Sequence, residues 1–137
     1  MKKIYLLFLI ISISFSSYSQ TGMLNGTGYA PNFTVTDIAG TSHTLYDYLD
    51  SGYVTVLELL SVTCGHCIAY APGTENSYQT NGPNGTNVAR FLGLEVNSST
   101  DSSAIAFFMS TYGVTFPIAD NVSPVGINYQ LYYTPSY

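Results

Sequence analysis

The chain has 137 residues, reads as one domain, and sets three Lys/Arg against eight Asp/Glu for a net charge of −5. Two of the three cations are Lys2 and Lys3, so Arg90 is the only Lys or Arg after the N-terminus. Phosphate backbones and anionic membrane surfaces are held by clusters of Lys and Arg, so nucleic-acid binding and peripheral attachment to anionic membranes are both excluded.

Met1-Lys2-Lys3 is a basic start, 4–15 is an apolar run, and Ser17 and Ser19 place small residues at both cleavage-site positions before Gln20. This pattern predicts a secretory signal peptide over 1–19 and a mature domain over 20–137. The run is shorter than the ~20 residues a membrane span needs, and no cysteine directly follows it to take a lipid anchor. The mature chain is therefore expected off the membrane. Its setting is the bacterial periplasm or the extracellular space, with the eukaryotic secretory pathway as the lesser alternative; disulfides persist in each.

Residues 21–31 read as a loose leader. Within 32–37, Phe33 and Val35 alternate with polar residues and predict a half-buried strand. Ala39-Gly40 turns the chain, and 45–49 is one helical turn that Ser42 or Thr44 can cap. His43 is expected as a cap or surface residue. The run 54–60 is almost unbroken apolar and β-branched, as in a strand buried on both faces. The stretch 64–79 reads as a helix that Pro72 must kink or break, and 81–86 is a Gly/Asn-rich surface loop. A strand follows over 88–96. Ser99, Thr100 or Asp101 then caps a helix with Ile105, Phe108, Met109 and Tyr112 on one face and Gly113 as its stop. A short strand over 115–119 and a helix over 124–131 complete an alternation that argues for an α/β sheet domain.

The only two cysteines lie in Cys64-Gly65-His66-Cys67. A structural crosslink gains most by closing a long loop, so a bridge across two residues constrains almost nothing and points to redox chemistry. A strand feeding a helix through this motif puts Cys64 at the helix N-terminus, where unpaired N–H groups and the dipole favour the thiolate. Cys64 is the expected nucleophile, and Cys67, one turn in and more buried, the expected resolving thiol. His66 would add positive charge beside both sulfurs and push the potential upward. The competing reading, a zinc site, needs four ligands and finds only His43 and His66 besides the cysteines. No metal and no cofactor is expected.

Glu58 lies six residues before Cys64, and Pro72 five after Cys67. The segment from Leu57 to Pro72 resembles the active-site strand and helix of the thioredoxin-like superfamily, in particular of protein disulfide isomerase domains. Ala30-Pro31-Asn32-Phe33 through Gly40 resembles the opening of redoxin domains of the peroxiredoxin and TlpA-like groups. Tyr112-Gly113-Val114-Thr115-Phe116-Pro117 is similar to a later strand of the same proteins, and the stretch around Thr134-Pro135-Ser136 to the segment holding their cis-proline. The resemblance implies a thioredoxin-like fold, with a central mixed sheet flanked by helices. It implies Glu58 as the buried proton acceptor for Cys67, and Thr134 and Pro135 as the backbone that meets substrate. A carboxylate in so apolar a strand is also expected to have a raised pKa. Two departures are Thr63, where the family usually has Trp, and Ile68, where Lys is common. A complete fold of this kind continues past its cis-proline with two strands and a helix. The chain stops two residues after Pro135, which implies a domain truncated at its C-terminus with an unpaired sheet edge.

The function so implied is an exported thiol–disulfide oxidoreductase whose partners are cysteine-bearing exported proteins and an upstream redox protein. Two rivals remain at this level. A peroxiredoxin-type peroxidase fits the opening segment, but Leu57 stands where its motif wants Pro, and the only Arg available beside the nucleophile is Arg90. A non-catalytic exported binding module on the same fold is the other. The aromatic group Tyr129, Tyr132, Tyr133 and Tyr137 is expected to serve packing rather than a peptide groove.

Overall fold

The computed structural model describes residues 29–137; the expected signal peptide and the first residues of the mature chain lie outside the described residues. The order of elements is β1 (Thr34–Thr36), β2 (Ser42–Thr44), α1 (Leu45–Asp50), β3 (Val54–Leu60), α2 (Gly65–Asn81), β4 (Ala89–Glu95), α3 (Ser102–Tyr112), β5 (Ile118–Ala119) and α4 (Ser123–Asn128). Among the described residues no helix is long and apolar enough to cross a membrane.

Strands β3, β4 and β5 form a parallel sheet in that order, with Leu60 of β3 in register with Glu95 of β4. Antiparallel bridges flank it on both sides, Leu59 with Ser136 and Ala119 with Asp37, which makes the sheet mixed. At Leu59 the N–H donates to the Ser136 carbonyl at 2.9 Å and the carbonyl accepts the Ser136 N–H at 3.0 Å. Strand β4 is central, and its residues alternate between two cores. Phe91 packs with Cys67, Ala71, Ile105, Phe108 and Phe116 on the α2/α3 side. Leu92 and Leu94 pack with Leu45, Leu59, Val125 and Tyr129 on the α1/α4 side. Burial of both faces is what a parallel sheet covered by helices requires. Gly93, in register with Glu58, keeps this packing close: a Cβ there would sit 2.9 Å from Ile118 Cγ1 and 3.0 Å from Leu60 Cδ2.

Helix α2 buries Cys67, Ala71 and Thr74 at helical spacing and continues through Pro72 to Asn81, so of the expected kink or break the break does not occur. Pro72 lies on the exposed side, so the carbonyl that loses its N–H partner can be satisfied by water. Asp101 is the N-cap of α3, its side chain accepting the Ala104 N–H at 2.9 Å, and Gly113 ends that helix at φ +69°. Both are as the sequence predicts.

Other expectations need correction. Strand β2 was not foreseen, because Ser42 and Thr44 read as caps; Thr44 does precede α1, but its hydroxyl pairs with Thr34 Oγ1 at 3.1 Å and caps nothing. His43 is therefore not a surface residue. It is buried, with Nε2 2.9 Å from Asp37 Oδ2 and Nδ1 against the Tyr48 hydroxyl. Strand β3 is buried on both faces only at its end: Leu59 and Leu60 are 1% exposed and Val54 is 63% exposed, since Ser136 flanks this outer strand only at Leu59. The expected strand over 115–119 shrinks to Ile118–Ala119. Glu75 takes Thr115 out of the sheet by accepting its N–H at 2.7 Å and its hydroxyl at 2.6 Å. The last helix stops at Asn128, ahead of Gln130 at φ +53°. Of the four tyrosines expected to pack, only Tyr129 is buried, edge-on to Phe33, with its hydroxyl donated to the Pro31 carbonyl at 2.9 Å.

Candidate active site

The two cysteines stand where β3 passes into α2. Cys64 is the N-cap residue of α2, with extended backbone (φ −81°, ψ 125°); its N–H donates to the Ser61 carbonyl at 2.9 Å and its carbonyl accepts the Ile68 N–H at 3.0 Å. Both thiols are free. Cys64 is half-exposed, whereas Cys67, one turn further, has no exposed surface. The Ser61 N–H donates to the buried Cys67 Sγ at 3.4 Å.

The two environments drive the thiols apart. The Cys67 backbone N–H above all, then the Thr134 side chain and the His66 backbone N–H, hold the Cys64 thiol down at about 7 from an ordinary 9.0. Burial pushes the Cys67 thiol up to about 11. The low value is thus first an effect of the helix N-terminus, with Thr134 adding to it. His66 contributes through its backbone N–H, while its exposed ring faces the cleft beside the pair.

That cleft, of roughly 400 Å³, is lined by His66, Tyr70, Tyr133, Thr134, Pro135 and Tyr137. The Thr134–Pro135 peptide bond is cis, and the Thr134 carbonyl accepts from Cys64 Sγ at 3.5 Å. Thr63 and Ile68, the two departures from the family pattern, line a second cleft on the other flank with Phe107 and Tyr112.

Glu58 is 3% exposed. Its Oε1 accepts the Tyr137 hydroxyl at 3.1 Å, and its Oε2 is buried without a hydrogen-bond partner among the described residues. Burial raises its pKa above 4.5, against the Tyr137 hydroxyl and the nearby Thr74 hydroxyl, which favour the charged form. Arg90 does not reach it. It stacks on the Tyr53 ring, 3.5 Å from the centroid, and donates to Asn87 Oδ1 at 2.9 Å. Arg90 is in register with Thr55, at the far end of β3 from the cysteines, about 16 Å along the strand. The arginine that a peroxidase wants beside its nucleophile is absent there among the described residues. No group of three His, Cys, Asp or Glu side chains is placed to hold a metal among them either.

Sequence reasoning missed Glu95. It is fully buried at the end of β4, with Oε2 accepting the Val62 N–H at 2.7 Å and Oε1 the Asn97 N–H at 2.8 Å. It thereby anchors the loop that leads into Cys64. Burial raises its pKa, with the nearby Asp120 charge acting in the same direction. The signal that singled out Glu58, an acid inside an apolar strand, was present here too, in Phe91-Leu92-Gly93-Leu94-Glu95-Val96. Glu95→Ala strands both backbone donors, so it is expected to destabilise the protein by about 2–4 kcal/mol, read as a lowered urea midpoint.

No protein-family model matches the sequence, and no curated protein matches it. Solved structures do. A secreted disulfide oxidoreductase of Mycobacterium tuberculosis, homologous to E. coli DsbE, superposes with a TM-score of 0.63 at 23% identity, over 75% of this chain and 71% of that one. The thioredoxin domain of a thiol-disulfide oxidoreductase from Bacteroides vulgatus gives 0.66 at 16% identity, over 85% and 79%. A thiol:disulfide interchange protein of the thioredoxin family from Chlorobium tepidum gives 0.65 at 15%, over 85% and 76%. At these identities the likeness establishes the fold. The chain has a thioredoxin-like fold, a central mixed sheet flanked by helices, and its solved neighbours are thiol–disulfide oxidoreductases.

Proposed function

We propose that the protein is an exported thiol–disulfide oxidoreductase acting on cysteine-bearing exported proteins. The observation that carries this reading is the split between the two thiols, about 7 for the accessible Cys64 and about 11 for the buried Cys67. Cys64, as thiolate, attacks a substrate disulfide; one substrate sulfur leaves as thiolate and the other forms a mixed disulfide with Cys64. Cys67 then loses its proton and attacks Cys64 Sγ. The second substrate thiol is released, and the Cys64–Cys67 disulfide carries the two electrons' worth of oxidation. Glu58 is the acceptor for the Cys67 proton, and the Thr134–Pro135 backbone aligns the substrate beside Cys64. An upstream redox protein returns the pair to the dithiol.

The poise follows from the same value. Stabilising the Cys64 thiolate favours the reduced form and raises the potential. A thiol held at about 7 matches thioredoxin's, whereas a strong oxidant such as DsbA has its thiol near 3.5. A reductase poise is therefore favoured over a strong oxidase. Equilibration in glutathione buffers is expected to give a potential nearer −270 mV than −120 mV, together with catalysed reduction of insulin. A potential at the oxidising end overturns the reductase poise, and absence of both insulin reduction and dithiol oxidation overturns the enzymatic reading.

A further inference from the structure

Glu58 has one hydrogen-bonded oxygen, one buried oxygen without a partner, and almost no exposed surface. Any proton it takes up must leave again before the next turnover. Its contact outward is Tyr137. The Tyr137 hydroxyl donates to Glu58 Oε1 at 3.1 Å and lies 2.8 Å from Thr74 Oγ1. With the hydroxyl proton committed to the carboxylate, Thr74 must be the donor in that second bond. The order is therefore Thr74 O–H to Tyr137 O–H to Glu58. Thr74 is fixed on the buried side of α2, while Tyr137 as a residue is 58% exposed. That ring borders both the cleft at Pro135 and His66 and a second cleft at Val56, Gly73 and Phe91. One hydroxyl thus joins a buried acid to the surface.

We propose that Tyr137 is a positioning residue for Glu58: oriented by Thr74, its hydroxyl holds Oε1, leaves Oε2 to receive the proton, and then conducts that proton outward. When Glu58 is protonated, the chain of hydroxyls reverses. The protonated carboxyl turns its O–H toward Tyr137 and gives the proton to Tyr137 Oη as Tyr137 gives its own to water in the cleft. One proton moves from Glu58 to solvent, and no covalent bond other than O–H is made or broken. The inference rests on the exchange reading above for its consequence in turnover, and on the Glu58–Tyr137–Thr74 geometry for everything else.

The test combines two readouts on the full chain, carboxyl titration of Glu58 by ¹³C NMR and the pH profile of mixed-disulfide resolution by Cys67. Tyr137→Phe keeps the ring and removes the hydroxyl. Glu58 is expected to titrate at higher pH than in the wild type, because the lost bond favours its charged form. The alkaline shift should carry over to the resolution profile, with about a tenfold slower rate at neutral pH. Thr74→Val, which leaves Tyr137 in place, should shift the titration in the same direction, and Thr74→Ser should restore it. In a Glu58→Gln background, Tyr137→Phe should slow resolution no further. An unchanged Glu58 titration in both Tyr137→Phe and Thr74→Val overturns the inference, as does an equal loss of rate with and without Glu58. A protein without exchange activity whose Glu58 titration still moves would sink the enzymatic reading and leave the Tyr137–Glu58 coupling standing.

Discussion

Alkylation of the reduced protein with iodoacetamide is expected to resolve two thiols, one with a midpoint at about 7 and one at about 11. The first belongs to Cys64. At pH 7 about half of it is thiolate, against about 1% for a cysteine at the ordinary 9.0. The assignment is checked by substitution. Cys64→Ser removes the early-reacting thiol and lowers disulfide exchange to the uncatalysed background. Cys67→Ser keeps that thiol and accumulates a mixed disulfide, because nothing is left to attack Cys64 Sγ. A Cys64 midpoint at 8.5 or above would contradict the helix-terminus argument. The same values set opposite contributions to the stability of the reduced form. The contribution of Cys64, whose pKa is depressed, is complete above 9.0 and is lost as pH falls through about 7. That of Cys67, whose pKa is raised, is present below 9.0 and is lost as pH rises through about 11.

The legible parts of this molecule were those with a local physical signature. Cys64-x-x-Cys67 behind an apolar strand marked the candidate site, Asp101 and Gly113 marked the limits of α3, and Glu58 stood out as an acid among leucines. The illegible parts depend on partners far away in sequence. Strand β2 exists because Ser42, His43 and Thr44 pair with Thr34, Val35 and Thr36, and three residues carry too short a pattern to betray that. The shortening of β5 depends on Glu75, forty residues upstream of Thr115. His66 was singled out for the charge of its ring, and its backbone N–H, which any residue at that position would offer, also favours the Cys64 thiolate. Tyr137 shows the same limit, since nothing local links it to Glu58 across 79 residues. Glu95 is different in kind, because its signal was present and was passed over.

If Glu58 takes the Cys67 proton as proposed, it trades stability against turnover. Burial raises its pKa above 4.5, so the folded state is favoured while the group is protonated. That contribution is complete below 4.5 and is lost as pH rises through the raised value. Once Glu58 is ionised, the native protein carries a buried charge with a partner on only one oxygen. Glu58→Gln removes the charge and keeps an oxygen to accept from Tyr137. The variant is expected to be more stable than the wild type at pH 8 by about 1 kcal/mol, with the difference vanishing as pH falls to 4.5 and below. Glu95, also raised, titrates in both proteins, so its slope cancels in the comparison and only that of Glu58 remains. Resolution of the mixed disulfide should move the other way, slowing about a hundredfold as Cys67 loses its proton acceptor. Urea unfolding of both proteins from pH 4 to 8, set beside single-turnover resolution rates, measures the two effects together. Equal stability across that range would mean that Glu58 is not desolvated in the native state, and unchanged resolution would remove it from the proton path. A gain in stability coupled to a loss of rate is the outcome expected of a carboxyl kept in an unfavourable place because the chemistry beside it uses the proton it can take up.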